Sequence, residues 1–388
     1  MKADINMQEF SLFGGPLQRL GRRLGLVRGS NSFGLGVALG LLAWGVIALL
    51  VLLQGLGDRA FSLNVIGIHI RFLVAIPLFF LCETWVAPRM AEFTRDIVRS
   101  GVVPESERLA LDGAIRRVGR MRDPWVMEIC FLVVVVVFAL ITPFLNLPGK
   151  TGNWEMLMAE TGGRVSPVLG WYMWFCIPLF RFLMLRWLWH LGLWCYFLWK
   201  VKSLDLHLVP THPDGAAGLG YLEIVQEHFG ALAFAISAVM AASFAEDIVS
   251  GRMNFETLYL LIPMVLVLVL GLFIGPLLVF IPKLWECRIT GWSEYMGMAF
   301  RYVSAFDKKW IRDEAATGES QLGTGDLQSL ADLNNSVSIV RGMRCVPASP
   351  RLANVLAVCA IIPLVPLIFL KYPLADLMAK MFQTLTGL

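Results

Sequence analysis

The sequence predicts an all-α protein that crosses a membrane about seven times, with its N-terminus in the cytoplasm. Three observations predict it. Of 388 residues, 57% are hydrophobic and only 16% are charged, whereas soluble domains carry about 25% charged residues. Seven stretches are apolar over roughly the 20 residues that a helix needs to cross a bilayer: 34–53, 65–87, 125–147, 168–199, 222–248, 257–282 and 352–372. The basic residues, finally, fall on one side. If the stretches alternate in direction, segments 1–33, 88–124, 200–220 and 283–351 hold 24 Lys and Arg, against six in 54–64, 148–166, 249–256 and after 370. Without the nine of the long 283–351 segment the ratio is still 15 to six. Short loops rich in Lys and Arg stay in the cytoplasm, so the C-terminus is placed outside. The net charge of +4 makes no case for nucleic acid. The surroundings expected are the lipid bilayer, with a homo-oligomer or a membrane complex as partner.

In chain order, residues 1–33 form a basic cytoplasmic segment, and no small-residue cleavage site closes the first apolar run, so no removable signal peptide is read. Residues 34–284 make a six-span bundle. Within it, 89–122 carries eight Arg, and Gly101 and Pro104 divide it into two helices, a cytoplasmic hairpin. The third span opens with Asp123 as N-cap, Pro124 at the first helical position and Trp125 at the interface. Its valine run favours strand in water, but in lipid only a helix satisfies its own backbone. The fourth span, 32 residues long, would be about 48 Å of helix; it either runs on into the cytosol or breaks in two. The fifth is small-residue-rich from Gly230 to Ala245, which suits close helix contact or a pore wall. The sixth contains Gly271 and Gly275 followed by Pro276, and the seventh Pro363 and Pro366, where a helix is expected to break. Residues 285–351 form a cytoplasmic helical segment, in which Trp292, Tyr295, Met296, Ala299, Val303, Phe306 and Trp310 recur at helical spacing. Residues 352–388 are the last span and a short outer tail. Of the seven cysteines, Cys82, Cys130, Cys176, Cys195 and Cys359 lie in or beside apolar runs without paired spacing, as inert buried thiols do.

Two long stretches, LVPTHPDGAAGLGYL and, far downstream, LGTGDLQSLADLNNSVSIVRGMRCVP, resemble motifs of a family of bacterial polytopic membrane proteins. The resemblance runs from about residue 65 to the end. It implies a multi-pass protein of the bacterial inner membrane and supplies no catalytic residue.

Three groups of residues can carry chemistry. The stretch 206–230 reads as a rigid turn, because Pro213, Asp214 and Gly215 follow in the order a turn prefers and Gly218 allows close backbone approach. It also reads as a metal or proton-relay site: His207, His212, Asp214, Glu223, Glu227 and His228 form a His/carboxylate set that suits a divalent transition metal, although no HExxH-type spacing is present. Second, Arg181 and Arg186 lie inside the fourth span, with His190 one turn beyond. Charge at membrane depth faces the bundle interior or a water-filled cavity, so these residues and Glu83 are candidates for a substrate or ion path, with Glu83, Glu128 or Glu227 as partners for Arg181. Third, the small residues of the fifth span leave room beside them. A channel or transporter for a small, anionic solute fits these features first. A non-catalytic structural or signalling subunit fits the cytoplasmic segments. A metal-dependent membrane-embedded enzyme fits the histidine-rich rim.

Overall fold

A computed structural model describes residues 12–55, 62–122, 125–141, 167–312 and 324–371. Every regular element among them is helical, and ten helices follow one another: α1 (Pro16–Arg23), α2 (Phe33–Leu53), α3 (Leu63–Arg99), α4 (Glu105–Arg122), α5 (Trp125–Ile141), α6 (Pro167–Lys202), α7 (Tyr221–Val249), α8 (Phe255–Ile311), α9 (Asp326–Gly342) and α10 (Pro350–Lys371). Six of these are long and apolar enough to cross a membrane, and α4 with α5 makes a seventh if the pair is one bent span. The protein is an all-α, multi-pass bundle. Asp123, Pro124, the 148–166 segment and the tail after 371 lie outside the described residues.

The helices keep the predicted positions but not the predicted lengths. α3 does not stop where its apolar run stops; it continues to Arg99, and Gly101, at φ +80°, ends the turn that follows. The hairpin's first helix is therefore an extension of the second span. α8 likewise joins the sixth span to the 292–314 segment in one run to Ile311. The fourth span is one continuous helix, α6, rather than two. Hydropathy marks where lipid contact ends, whereas a helix ends only where its backbone hydrogen bonds find other partners.

Prolines shape these helices in a consistent way. α3 carries a π-helical turn at Ile70–Ala75 and α6 one at Tyr172–Cys176, each ending two residues before a proline, Pro77 and Pro178. A proline lacks an N–H and clashes with the carbonyl four residues back, and the wider turn relieves both. The predicted breaks in α8 and α10 are 3₁₀ turns at Gly275–Phe280 and Ile362–Leu367.

The centre of the bundle is α3, α6 and α7. Phe72, Phe79, Phe80, Trp194, Phe197 and Phe229 are fully buried there. α2 lies close on α3 because Gly36 and Gly40 have no side chain where Phe80 and the Phe72 carbonyl pack, a small-xxx-small contact. The alanines of α7 serve the same end: Ala233, Ala235, Ala241, Ala242 and Ala245 are buried, and Gly230 admits Cys359 of α10. Close packing, rather than a pore wall, accounts for the small residues of α7. α5 is the outlying helix, with Val135 its only buried residue.

Candidate functional site

The charged residues inside the bundle form two clusters. At the end of the bundle nearer the basic loops, Arg186 of α6 pairs with Glu83 of α3, both almost completely buried, and its Nε lies 3.6 Å from Glu128 of α5. Gln18 Nε2 and Ser32 Oγ donate to the second oxygen of Glu83 at 3.1 and 3.3 Å. The Leu17 N–H donates to Glu128 at 3.1 Å. α1 and the start of α2 thus close over the ion pair. His190, one turn along α6, is buried against the edge of Phe13, 5.0 Å away between ring centres. Beside this cluster a cleft of about 580 Å³ is lined by Arg19, Arg23, Leu20, Trp125, Phe182 and Glu128. Glu128 therefore both walls the cleft and touches the buried arginine.

Of the path candidates, Glu83, Arg186 and His190 come together and Arg181 does not. Glu83 and Glu128, expected as partners of Arg181, serve Arg186 instead, and Glu227 pairs with Arg351 at 3.1 Å. The reason is helical phase. Five residues along an α-helix are roughly 140° of rotation, so Arg181 and Arg186 leave α6 on different faces. Arg181 is half-buried with its guanidinium 4.8 Å above the Phe138 ring of α5. Among the described residues no carboxylate lies within ion-pairing distance of it.

The second cluster, at the other end, was not foreseen. Arg71, on the π turn of α3, donates to Tyr172 Oη on the π turn of α6 at 3.2 Å and to Ser243 Oγ of α7 at 3.3 Å. Glu246 accepts the Gly67 N–H at 2.7 Å and lies in the field of Arg71. Tyr172 and Arg71 are also the charged or polar neighbours that Arg181 feels most. π turns within α-helices recur at functional sites. One signal was available: Arg71 is the only other arginine inside an apolar run.

The rim stretch folds as a clamped turn. The Asp214 carboxylate accepts N–H bonds from Ala216 at 2.8 Å, Gly218 at 3.0 Å and Gly220 at 2.7 Å. His212 Nδ1 lies 2.9 Å from the same carboxylate. Gly215 and Gly218 of this loop have positive φ, which glycine adopts readily, and Ala217 takes φ 56°, which a non-glycine residue disfavours. What holds the loop is the second of the two motifs. Arg344 donates from its backbone to Gly215 O at 2.8 Å, and from its guanidinium to Asp214 O at 2.6 Å and Glu223 at 3.0 Å. Ser349 donates to Glu223 as well. The two stretches that stood out in the sequence thus meet at one arginine. His212, Asp214, Glu223 and Arg344 line a pocket of about 410 Å³ with Asp96 and Tyr221.

The six metal candidates do not converge. His207 is exposed, His228 Nδ1 is 2.7 Å from the Ile224 carbonyl, Glu227 faces Arg351, and Glu223 is held by Arg344 and Ser349. Among the described residues no three His, Cys, Asp or Glu are grouped as a metal ion requires.

Burial alone would raise the Asp214 carboxyl, but the N–H groups of Ala216 and Gly220, the His212 ring and the Gly218 N–H outweigh it and hold the group below the usual carboxylate range. A lowered carboxylate stabilises the fold fully above its unfolded value of about 3.9 and loses that contribution as pH falls through the folded value. The turn is therefore expected to be insensitive to pH near neutrality and to open only below about pH 4. Asp214→Asn is expected to cost about 1–3 kcal/mol and to abolish that acid transition, read by hydrogen exchange across 206–220. Gly218→Ala should cost more than Gly215→Ala, because a Cβ at Gly218 meets Val102 at 2.5 Å and one at Gly215 finds only ordinary contact.

Neither protein-family models, nor curated proteins, nor solved structures give a match to this chain. The functional argument rests on its own residues.

Proposed function

We propose that the chain is a bacterial inner-membrane transport protein that carries a small anionic solute past Arg181 of α6, with its basic loops in the cytoplasm. The observation that carries this reading is Arg181: a guanidinium at membrane depth, half-buried and over the Phe138 ring. An arginine there costs at least ~2.5–3.5 kcal/mol on insertion scales, and its planar fork suits a carboxylate or phosphate oxygen pair. Arg19 and Arg23 flank the cleft at the basic end, where they would concentrate anions. At the far end Arg71 supplies a second guanidinium, held by Tyr172 Oη and Ser243 Oγ, which accept from it. The resemblance of the two motifs to bacterial inner-membrane proteins belongs to this reading.

Binding is the first test. Small anions screened one by one should include some that raise the melting temperature of the purified protein in detergent, since a ligand at a hundredfold excess over Kd adds about 2.7 kcal/mol of stability. Arg181→Gln should remove that rise while leaving the unliganded melting temperature within a few degrees. No stabilisation by any anion would count against the reading.

A second reading, a non-catalytic subunit of a larger membrane complex, is favoured by the helical hairpin that α8 and α9 form beyond the bundle. Tyr302 donates to Asp326 O at 3.1 Å and Lys309 pairs with Asp326 at 3.0 Å, so the hairpin is built apart from any site in the bundle.

A further inference from the structure

Beyond Ile281, α8 carries two neighbouring stripes of side chains. One faces the rest of the chain. Leu284 and Gly291 are buried, Pro210 fills the space at Gly291, and Arg288 donates to Arg341 O at 3.1 Å. The other stripe lies one residue further on, about 100° round the helix: Trp285, Ile289, Trp292, Met296, Ala299 and Val303. The steps of four and three residues are those of a coiled-coil seam. Yet these large side chains are left open, with Trp285 and Ile289 each 52% exposed and Val303 49%. Phe300, beside the seam, is 76% exposed.

A second observation lies within the membrane-spanning half of the same helix. Gly271 and Gly275 form a GxxxG pair, and a Cβ added at either would meet nothing within 4 Å. The comparable pair in α2, Gly36 and Gly40, is packed tightly on α3. Small residues at this spacing let another helix approach, and at Gly271 and Gly275 no helix among the described residues does.

We infer that a second copy of this chain covers both surfaces, pairing α8 with α8 in parallel about a two-fold axis normal to the membrane. A soluble partner would cover the seam but not the glycines. A small membrane partner would cover the glycines but not a seam that extends about 27 Å beyond the first of its residues. Only a helix that runs through the membrane and onward covers both, and α8 is such a helix. Two copies inserted the same way bring it alongside itself in register, so each seam residue meets its own counterpart. The 3₁₀ turn at Gly275–Phe280 lets the two halves cross at different angles, as GxxxG and heptad contacts require. Half-exposed side chains of this size offer on the order of 600 Å² per copy, about 1,200 Å² for the pair, the lower limit of a specific interface.

Single cysteines at Ile289, Trp292, Met296 and Val303, in a background without the native seven, test this in bacterial membranes under mild oxidation. Products at twice the monomer mass should form at these four positions and be at least about tenfold weaker at Thr290, Glu294 and Arg301. Gly271→Leu with Gly275→Leu, at positions where an added Cβ meets nothing within 4 Å, should lower the yield. The inference is overturned by folded protein that gives no such product, by equal yield at the control positions, or by seam cysteines that capture a different protein.

Discussion

Arg186→Leu is expected to cost about 3–5 kcal/mol, enough to unfold the bundle or to lower its melting temperature by more than any other single change in these helices. Two carboxylates lose their shared cation at once. Glu83 would stay buried with Gln18 and Ser32 as neutral donors, and Glu128 would keep the Leu17 N–H and the more distant field of Arg19. A charge left unpaired in low dielectric is far more costly than the pair was favourable. Removing the charge on both sides should therefore recover most of the loss: Arg186→Leu with Glu83→Gln keeps an amide for Gln18 and Ser32 and leaves no buried net charge from the pair. Thermal unfolding in detergent, followed by tryptophan fluorescence, measures all three proteins. A single mutant as stable as the double would mean that the ion pair contributes nothing to the fold.

The existence and order of the helices were legible in the sequence because lipid permits a spanning segment few alternatives to helix. Their ends were not. α3 and α8 run on beyond their apolar stretches through Arg99 and Ile311, since polar residues continue a helix as readily as apolar ones. Arg186, His190 and Glu83 were recognised as candidates from charge at membrane depth alone, but the pairing went to the wrong arginine. Composition places Arg181 and Arg186 in the same span; only helix phase and the packing of α3 and α5 decide which of them meets Glu83. Arg71 was hidden by the ten or more apolar residues around it, and Tyr172 and Ser243 carry no sequence signal of their own. Pro213, Asp214 and Gly215 carry turn chemistry that is visible in the sequence. The clamp on that turn is not visible there, because Arg344 is 121 residues from Glu223 and reads locally as a favourable charge near the end of α9. The two motifs signalled that both stretches matter, without showing that they touch.

Arg181→Gln is expected to reduce transport by about ten- to a hundredfold, the worth of one charge-assisted hydrogen bond of ~1.5–3 kcal/mol. The guanidinium lies over the Phe138 ring of α5, on a different face of α6 from Arg186. Glutamine preserves much of the volume and some of the hydrogen bonding while removing the charge that selects an anion. Arg181→Glu should go further and reverse the preference, excluding anions in favour of cations. Neither change touches the Arg186 pair, so both proteins should fold. The direct measurement is anion flux in proteoliposomes of purified protein, with an anion gradient imposed and the membrane potential clamped. The wild type should pass a small anion well above the rate of protein-free liposomes, Arg181→Gln should fall toward that background, and Arg181→Glu should change selectivity. Wild-type protein, folded and inserted, that passes no anion faster than empty liposomes would contradict the account.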